Sequence, residues 1–290
     1  MEALKQIIPI LLTMSLWGLV LTVGLKSVRG DLIYVLTRPW LLLKAIVAVD
    51  VIPITAALLL TLFLPLEPVV KAGIVLMAIS PVPPLVPGQE LGLGGRKQYA
   101  YGVYVAMALL AVVAVPLAND VAARAFGRQD TPTFLLVAKS VIMGVVIPLL
   151  VGMTVRLVAP AVAARLAPWV YRLSMLLVFA AFLPILVSIW PEMTRLVGNG
   201  TVLVMAAVTA IGLAGGHLLG GPDLRDRATL AIASSIRHPG IAMMLANAHF
   251  MDKRVTAAVF LFLLVGMAVG IPYRMWIKRS MPQTTAQEAV

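Results

Sequence analysis

Four ionisable side chains lie within stretches of the chain that are otherwise apolar: Asp50, Glu90, Arg237 and His238. A charge at membrane depth costs roughly 2.5–3.5 kcal/mol on insertion scales, so each is a candidate for handling an ion or a substrate. Carboxylates can hold a cation or a proton, a guanidinium can bind an anion, and an imidazole titrates near neutral pH. Polar neighbours that could line the same pathway are Gln89, Ser234 and Ser235.

Each of these residues also has a structural interpretation. Asp50 could form an ion pair or face a water-filled crevice, Glu90 could lie at headgroup level, and Arg237 could clamp carbonyl oxygens at unwound backbone. His238 could carry a proton or be a satisfied hydrogen-bonding residue. Because a buried arginine without a counter-charge is costly, we expect Asp50 first, or else Glu90, to face Arg237. For His217, which lies among glycines at every fourth position, we favour helix packing.

The elements that must position these residues are two apolar stretches interrupted near their middles. The first covers about 69–95, and the second covers about 228–250. Non-helical backbone in lipid survives only where it is buried in protein or lines a cavity, so a matched pair of breaks indicates the central site of a secondary transporter. The residues assigned to the breaks are Pro81, Pro83, Pro84, Pro87 and Gly88 in the first, and Arg237, His238, Pro239 and Gly240 in the second.

Composition requires a membrane. The 290 residues are 61% hydrophobic and only 12% charged, whereas soluble domains carry roughly 25% charged residues. The net charge of +11 is dispersed through short connections, which favours contact with membrane lipids over nucleic acid. With no cysteine, disulfides and thiolate chemistry are excluded. We find no paired-histidine motif and no G-x-S-x-G, so we expect neither an enzyme nor a cofactor nor a resident metal.

Apolar segments of about 20 residues predict an all-α polytopic membrane protein with about nine transmembrane helices. A polar connection at 118–132 divides them into four and five. The broken helix is second to last in each half, so we predict two inverted five-helix repeats, the first helix missing, with the discontinuous helices crossing at the core. The helices are placed near 6–25, 41–64, 69–95 (broken), 100–117, 133–157, 168–190, 201–219, 228–250 (broken) and 255–277.

The distribution of basic residues predicts the orientation. Most of the 23 lysines and arginines fall in connections on the side of the C-terminus. The positive-inside rule then places the N-terminus outside and the C-terminus in the cytoplasm, in a bacterial inner membrane. We expect a single transmembrane domain over 1–290, with a polar cytoplasmic tail at 280–290, as a monomer or weak homodimer.

Several features together resemble the bile acid:sodium symporter family, within the bile/arsenite/riboflavin transporter superfamily. They are Arg38–Trp40 opening a helix that contains Ile52–Pro53, the proline/glycine-rich break before the Tyr101–Pro116 helix, and Ala231–Phe250 around its break. The resemblance, over about 10–277, implies alternating-access uptake of organic anions, with sodium bound beside the crossing helices. It also implies panel helices at about 6–25, 133–157 and 168–190, and core helices at about 41–117 and 201–277.

The chain departs from this family at the ion ligands. Where the family reads Glu-Val-Gly-Met-Gln-Asn-Ser-Gly, this chain has Ala-Ser-Ser-Ile-Arg-His-Pro-Gly at Ala233–Gly240. The family's sodium-binding Glu falls on Ala233, and its Gln falls on Arg237. A further glutamine of the family falls on Ala48, and two of its hydroxyl residues fall on Tyr104 and Ala108. In the first broken helix, Leu85–Leu91 stands where the family reads Pro-Gly-Gly-Thr-Ala-Ser-Asn. An arginine would repel sodium by about 4 kcal/mol at 4 Å and an effective dielectric of 20.

We therefore expect a secondary active transporter of a small organic anion that is proton-coupled or uncoupled, and not sodium-coupled. The Arg237 guanidinium would stand where the family binds sodium, with Asp50 or Glu90 as its anion. Two alternatives stay open. One is a sodium-dependent bile-acid-type symporter with rearranged ligands, and the other is a non-transporting receptor derived from such a carrier.

Overall fold

A computed structural model describes residues 2–127, 133–249 and 252–281. Within these residues the regular structure is entirely helical. The helices, numbered in chain order, are α1 (Glu2–Lys26), α2 (Arg29–Leu36), α3 (Pro39–Phe63), α4 (Pro68–Ile79), α5 (Val86–Gly92), α6 (Lys97–Ala125), α7 (Phe134–Val158), α8 (Pro160–Arg195), α9 (Thr201–Leu219), α10 (Leu224–Ser235), α11 (Pro239–His249) and α12 (Lys253–Ser280).

Six of these helices are long and apolar enough to cross a membrane: α3, α6, α7, α8, α9 and α12. A seventh span is possible in α1 and α2, which are bent by 83° at the break between them. The helices α4 and α10 have 12 residues each, and α5 and α11 have 7 and 11. A total of nine spans would require α4 with α5, and α10 with α11, each to cross the membrane as one broken helix. The number of spans and the inverted repeat therefore stay predictions.

Two sequence-based boundaries are wrong. The connection predicted at 118–132 is helical as far as Ala125, because α6 continues past its internal Pro116. The breaks are also shorter than predicted, since Pro87 and Gly88 belong to α5 and Pro239 and Gly240 open α11. A proline in the first helical turn loses no hydrogen bond, because the N–H at that position has no partner within the helix. Residues 128–132 and the predicted tail beyond residue 281 lie outside the described residues.

The exposed face of α8 fits a bilayer. Trp169 and Trp190 are 68% and 53% exposed and bracket a stripe of exposed leucine, phenylalanine and valine. At 1.5 Å of rise per residue they lie about 31 Å apart along the helix, close to the roughly 30 Å of a hydrocarbon core with aromatic side chains at its borders. The protein is therefore an integral membrane protein.

Glycines set the tightest helix contacts. The helices α1, α7 and α8 pack on one another, and α1 crosses α7 where Gly24 meets Gly152. A second contact of this kind joins α9 to α10 through Gly212, Gly216 and Gly220. His217 lies on that glycine-rich helix, and its Nδ1 is 3.0 Å from the hydroxyl of Tyr273. The tight helix contact that the glycine spacing indicated is confirmed, and the packing role of this histidine stays a prediction.

Replacing Gly152 by alanine should destabilise the crossing of α1 and α7. The added Cβ would lie 2.8 Å from the backbone nitrogen of Leu25 and 2.9 Å from Gly24 Cα, and overpacking of this kind costs about 1–3 kcal/mol. The matched control is Gly30→Ala in α2, where a Cβ meets nothing within 4 Å. Thermal unfolding in detergent should show a melting temperature several degrees lower for the first variant only. Equal melting temperatures would contradict the packing of these helices.

Candidate functional site

The two breaks in the short helix pairs lie against each other. The first runs from Ser80 to Leu85 between α4 and α5, and the second from Ile236 to His238 between α10 and α11. The backbone N–H of His238 donates a hydrogen bond of 2.9 Å to the carbonyl of Pro81. The predicted contact between the breaks is therefore confirmed, and their depth in the bilayer stays a prediction.

Two carbonyl oxygens near this contact lack the donors that a continuous α-helix would supply. In an α-helix the N–H of residue i+4 binds the carbonyl of residue i, and proline has no N–H. Pro53 therefore supplies no donor to the carbonyl of Val49, and a π-helical turn at Val47–Val51 precedes it in α3. The carbonyl of Ser80 also lacks a helical donor, because Ser80 ends α4 with extended backbone (ψ of 144°) and the residues directly after it are not helical.

A third carbonyl, that of Ser234, lies in the last turn of α10. The N–H four residues further on belongs to His238, and it binds Pro81 across the breaks. Carbonyl oxygens at helix ends carry partial negative charge and must find donors where water is excluded. The ends of α4 and α10 and the π-turn of α3 thus present three such oxygens to one region.

The guanidinium of Arg237 donates to all three oxygens. Its Nη2 binds the carbonyls of Val49 and Ser234, the latter at 3.0 Å, and its Nη1 lies 3.4 Å from the carbonyl of Ser80. The residue is only 3% exposed. We call these three oxygens the carbonyl cage. A fixed cation therefore occupies a cage of backbone oxygens, which is the kind of ligand set that otherwise binds a metal ion.

The expected ion pair between Arg237 and an acid is not formed. All three residues are in the described part of the chain, and no nitrogen of Arg237 lies within 4.0 Å of a carboxylate oxygen of Asp50 or Glu90. Asp50 follows Val49 directly and interacts with the guanidinium electrostatically over a longer distance. Its Oδ2 is buried and has no hydrogen-bond partner among the described residues. The cage oxygens take the guanidinium donors that we had assigned to an acid.

The remaining polar candidates have partners of their own. The Ser234 hydroxyl donates to the carbonyl of Leu230 at 2.5 Å, and the Ser235 hydroxyl donates to its own helix at 3.2 Å. The amide oxygen of Gln89 accepts a hydrogen bond of 2.7 Å from Arg274 of α12. Within the described residues these side chains stabilise helices and a helix contact, and the structure does not bring them into the cage.

His238 connects the breaks to a cavity of about 270 Å³. Its Nδ1 accepts a hydrogen bond of 3.3 Å from the N–H of Ile241 in the first turn of α11. The cavity lies between α1, the π-turn of α7 and α11, and its walls are mostly apolar. Its lining residues are Leu12, Thr13, Leu16, Trp17, Gly144, His238, Gly240, Ile241, Met243 and Met244. Sequence reasoning missed the walls from α1 and α7, because periodicity alone does not fix which face of a helix meets a neighbour.

Helices broken in the protein interior, beside a cavity between packed spans, are the arrangement that many membrane transporters use at their substrate sites. The sequence matches the model of the Sodium Bile acid symporter family over residues 9–190, more than half of the chain, and the protein belongs to that family of membrane transporters. The match ends before the second break, so the departures at Ala233–Gly240 lie outside it. No curated protein matches the chain in a sequence search.

Removing Arg237 should strongly destabilise the protein, and removing Pro53 should offset part of that loss. Arg237→Met leaves the cage oxygens without donors, and each buried oxygen left unpaired costs about 1–3 kcal/mol. In Pro53→Ala, a new N–H can bind the carbonyl of Val49 within α3. The double variant should therefore show a coupling free energy of about 1 kcal/mol or more, measured by unfolding in detergent.

Pro148 supplies the matched control. It follows the π-turn of α7 (Ile142–Val146) as Pro53 follows that of α3, and no hydrogen bond of Arg237 in the described structure reaches α7. Pro148→Ala should therefore be additive with Arg237→Met. Glu90→Gln should be additive as well, since Glu90 makes no contact with the guanidinium. Additivity at Pro53, or strong coupling at Glu90, would contradict the cage.

Proposed function

We propose that this protein carries a small organic anion with an apolar body across the bacterial cytoplasmic membrane by alternating access, and that sodium does not drive it. The N-terminus lies outside and the C-terminus in the cytoplasm. The observation that carries the proposal is the guanidinium of Arg237 bound to three backbone oxygens at the meeting of the two breaks.

A sodium ion in this cage would have to displace or approach the guanidinium. Sodium needs several oxygen ligands in a compact shell, and the nearest oxygens already accept hydrogen bonds from Arg237. Repulsion between two unit charges 4 Å apart is about 4 kcal/mol at an effective dielectric of 20. The arginine is covalently attached, so it neutralises the helix ends permanently and cannot leave with a substrate.

The cavity supports an anion with an apolar body. Leucine, methionine and tryptophan side chains form most of its walls, and Thr13 and His238 add polar groups. The helix α11, of 11 residues, begins at the cavity with Pro239. A helix N-terminus carries partial positive charge and attracts carboxylate or sulfonate groups. The same cavity would disfavour a strongly hydrated cation, because most of its lining offers no ligand.

The position of the arginine favours a moving carrier over a locked receptor. Arg237 connects α3, α4 and α10, and its hydrogen bonds in the described structure do not reach α1, α7 or α8. The cavity lies between α11 and the group formed by α1 and α7. The clamp therefore leaves the two sides of the cavity free to move relative to each other. Flux in proteoliposomes would separate a carrier from a receptor that binds without transport.

Replacing sodium by choline should leave ligand binding unchanged. Taurocholate and smaller carboxylates can be screened by the shift in melting temperature that they cause in detergent. Because the cage holds Arg237, the shift for each active ligand should be the same in sodium and in choline. A saturable increase of the shift with sodium would show that the ion site lies elsewhere, and it would support the sodium-dependent alternative.

Filling the cavity should abolish binding without unfolding the protein. Met244 lines the cavity, and Met244→Trp would add bulk to its wall. Met143, in the π-turn of α7, is 48% exposed and is not a lining residue, so Met143→Trp is the matched control. Taurocholate should shift the melting temperature of the control variant and leave that of the first unshifted. An equal shift in both variants would place the ligand at another site.

A further inference from the structure

Glu90 is a buried acid that the proposed site does not use. It lies in α5, is 1% exposed, and its Oε2 has no hydrogen-bond partner among the described residues. Neither lysine nor arginine has a nitrogen within 4.0 Å of this carboxylate in the described structure. Water is the usual stabiliser of a carboxylate without a cation, and burial removes it.

The groups that surround Glu90 do not favour its charge. From α6, Tyr99 and Tyr101 interact with it electrostatically, and both rings are buried. On α10, which also packs against α5, the carboxylate of Asp226 pairs with Arg96 at 3.6 Å. From α12, Arg274 binds the neighbouring residue, Gln89. Arg96 and Arg274 are thus engaged with acceptors other than Glu90.

A hydrogen bond from α12 and the non-helical backbone on both sides determine which face of α5 points into the protein. Proline-rich backbone precedes this helix, and Gly94, with a φ of +84°, follows it. The bond from Arg274 to Gln89 holds the helix so that Glu90 points inward. On the opposite face, a Cβ built at Gly88 or Gly92 meets nothing within 4 Å. A rotation of this seven-residue helix about its axis would therefore bring the carboxyl to the open face.

We propose that Glu90 is the proton-binding site of the transport cycle, protonated while it is packed inside and ionised when α5 turns it toward water. On release, the O–H bond breaks, the electron pair stays on the carboxylate, and the proton passes to water on the open side. Carrying one proton with a monovalent anion makes the cycle electroneutral. This inference rests on the proposed function for the transport step, and the protonation state can be tested without any substrate.

Infrared spectroscopy of the purified protein tests the protonation. At pH 7 the wild type should show a C=O stretch of a protonated carboxyl that Glu90→Gln lacks. The matched control is Glu67→Gln, the same change at an exposed acid before α4, which should leave the band intact. Because glutamine resembles the protonated acid in shape and charge, Glu90→Gln should fold. An unchanged band in Glu90→Gln would overturn the proposal.

Proteoliposomes test the coupling. Taurocholate is a sulfonate that carries no proton itself near neutral pH, so the change in vesicle-trapped pyranine beyond the leak of protein-free vesicles reports protons moved by the protein. An inward proton gradient should raise taurocholate uptake several-fold in the wild type and in Glu67→Gln, and leave uptake by Glu90→Gln unchanged. Gradient-driven uptake in Glu90→Gln would overturn the proton site. No uptake by the wild type of taurocholate or of any carboxylate that shifts its melting temperature would refute the proposed function, and the infrared result would still decide on the proton.

Gln89 should act as a positioning residue for the carboxyl group of Glu90. Gln89→Ala removes the acceptor that holds Arg274 and loosens the orientation of α5. The carboxyl band of Glu90 should then disappear at a lower pH than in the wild type, because water reaches the carboxyl more often. A purely structural role would lower the melting temperature without moving this pH profile, and that result would overturn the positioning role.

Discussion

The structure around the breaks depends on backbone carbonyl oxygens that have lost their helical donors. A carbonyl freed by a proline or a helix end binds water in a soluble protein, whereas in a membrane interior it must find a donor in the protein. Here Pro53 removes the helical donor of Val49, and the ends of α4 and α10 add the oxygens of Ser80 and Ser234. A single guanidinium satisfies them, and its planar fork of donors suits this task better than an ammonium would.

The sequence predicted the breaks, their contact and the burial of Arg237, because prolines and intramembrane charges are visible as residue types. For the arginine it left two interpretations, an ion pair with an acid and a clamp on carbonyl oxygens at unwound backbone. We favoured the acid, because counting charges ignores backbone oxygens, and the structure shows the clamp. Helix α9 begins and ends where predicted, at Thr201 and Leu219, whereas α6 extends eight residues further, because its polar end tolerates helical structure.

The cavity shows a different limit of sequence reasoning. His238 was a candidate from its position in a break, but the walls from α1 and α7 depend on how whole helices are rotated. One signal was nevertheless present. Ile147–Pro148 repeats the Ile52–Pro53 pair, both follow π-turns, and Pro148 removes the donor for the carbonyl of Gly144. Gly144 is one of the residues that line the cavity, so this second proline pair marks the wall that α7 contributes.

A cation that is part of the chain changes what can drive transport. A mobile ion contributes energy because it binds on one side of the membrane and leaves on the other, and Arg237 can do neither. Arginine also stays protonated under all physiological conditions, so it cannot contribute by titration. If a proton gradient drives this transporter, the coupling group must be one whose charge can change. Among the buried acids of the described residues, Asp31 and Glu90 are both 1% exposed, but Asp31 accepts a hydrogen bond from the backbone N–H of Val28, whereas Oε2 of Glu90 has no partner and no cation lies beside it, which separates its role from that of the arginine.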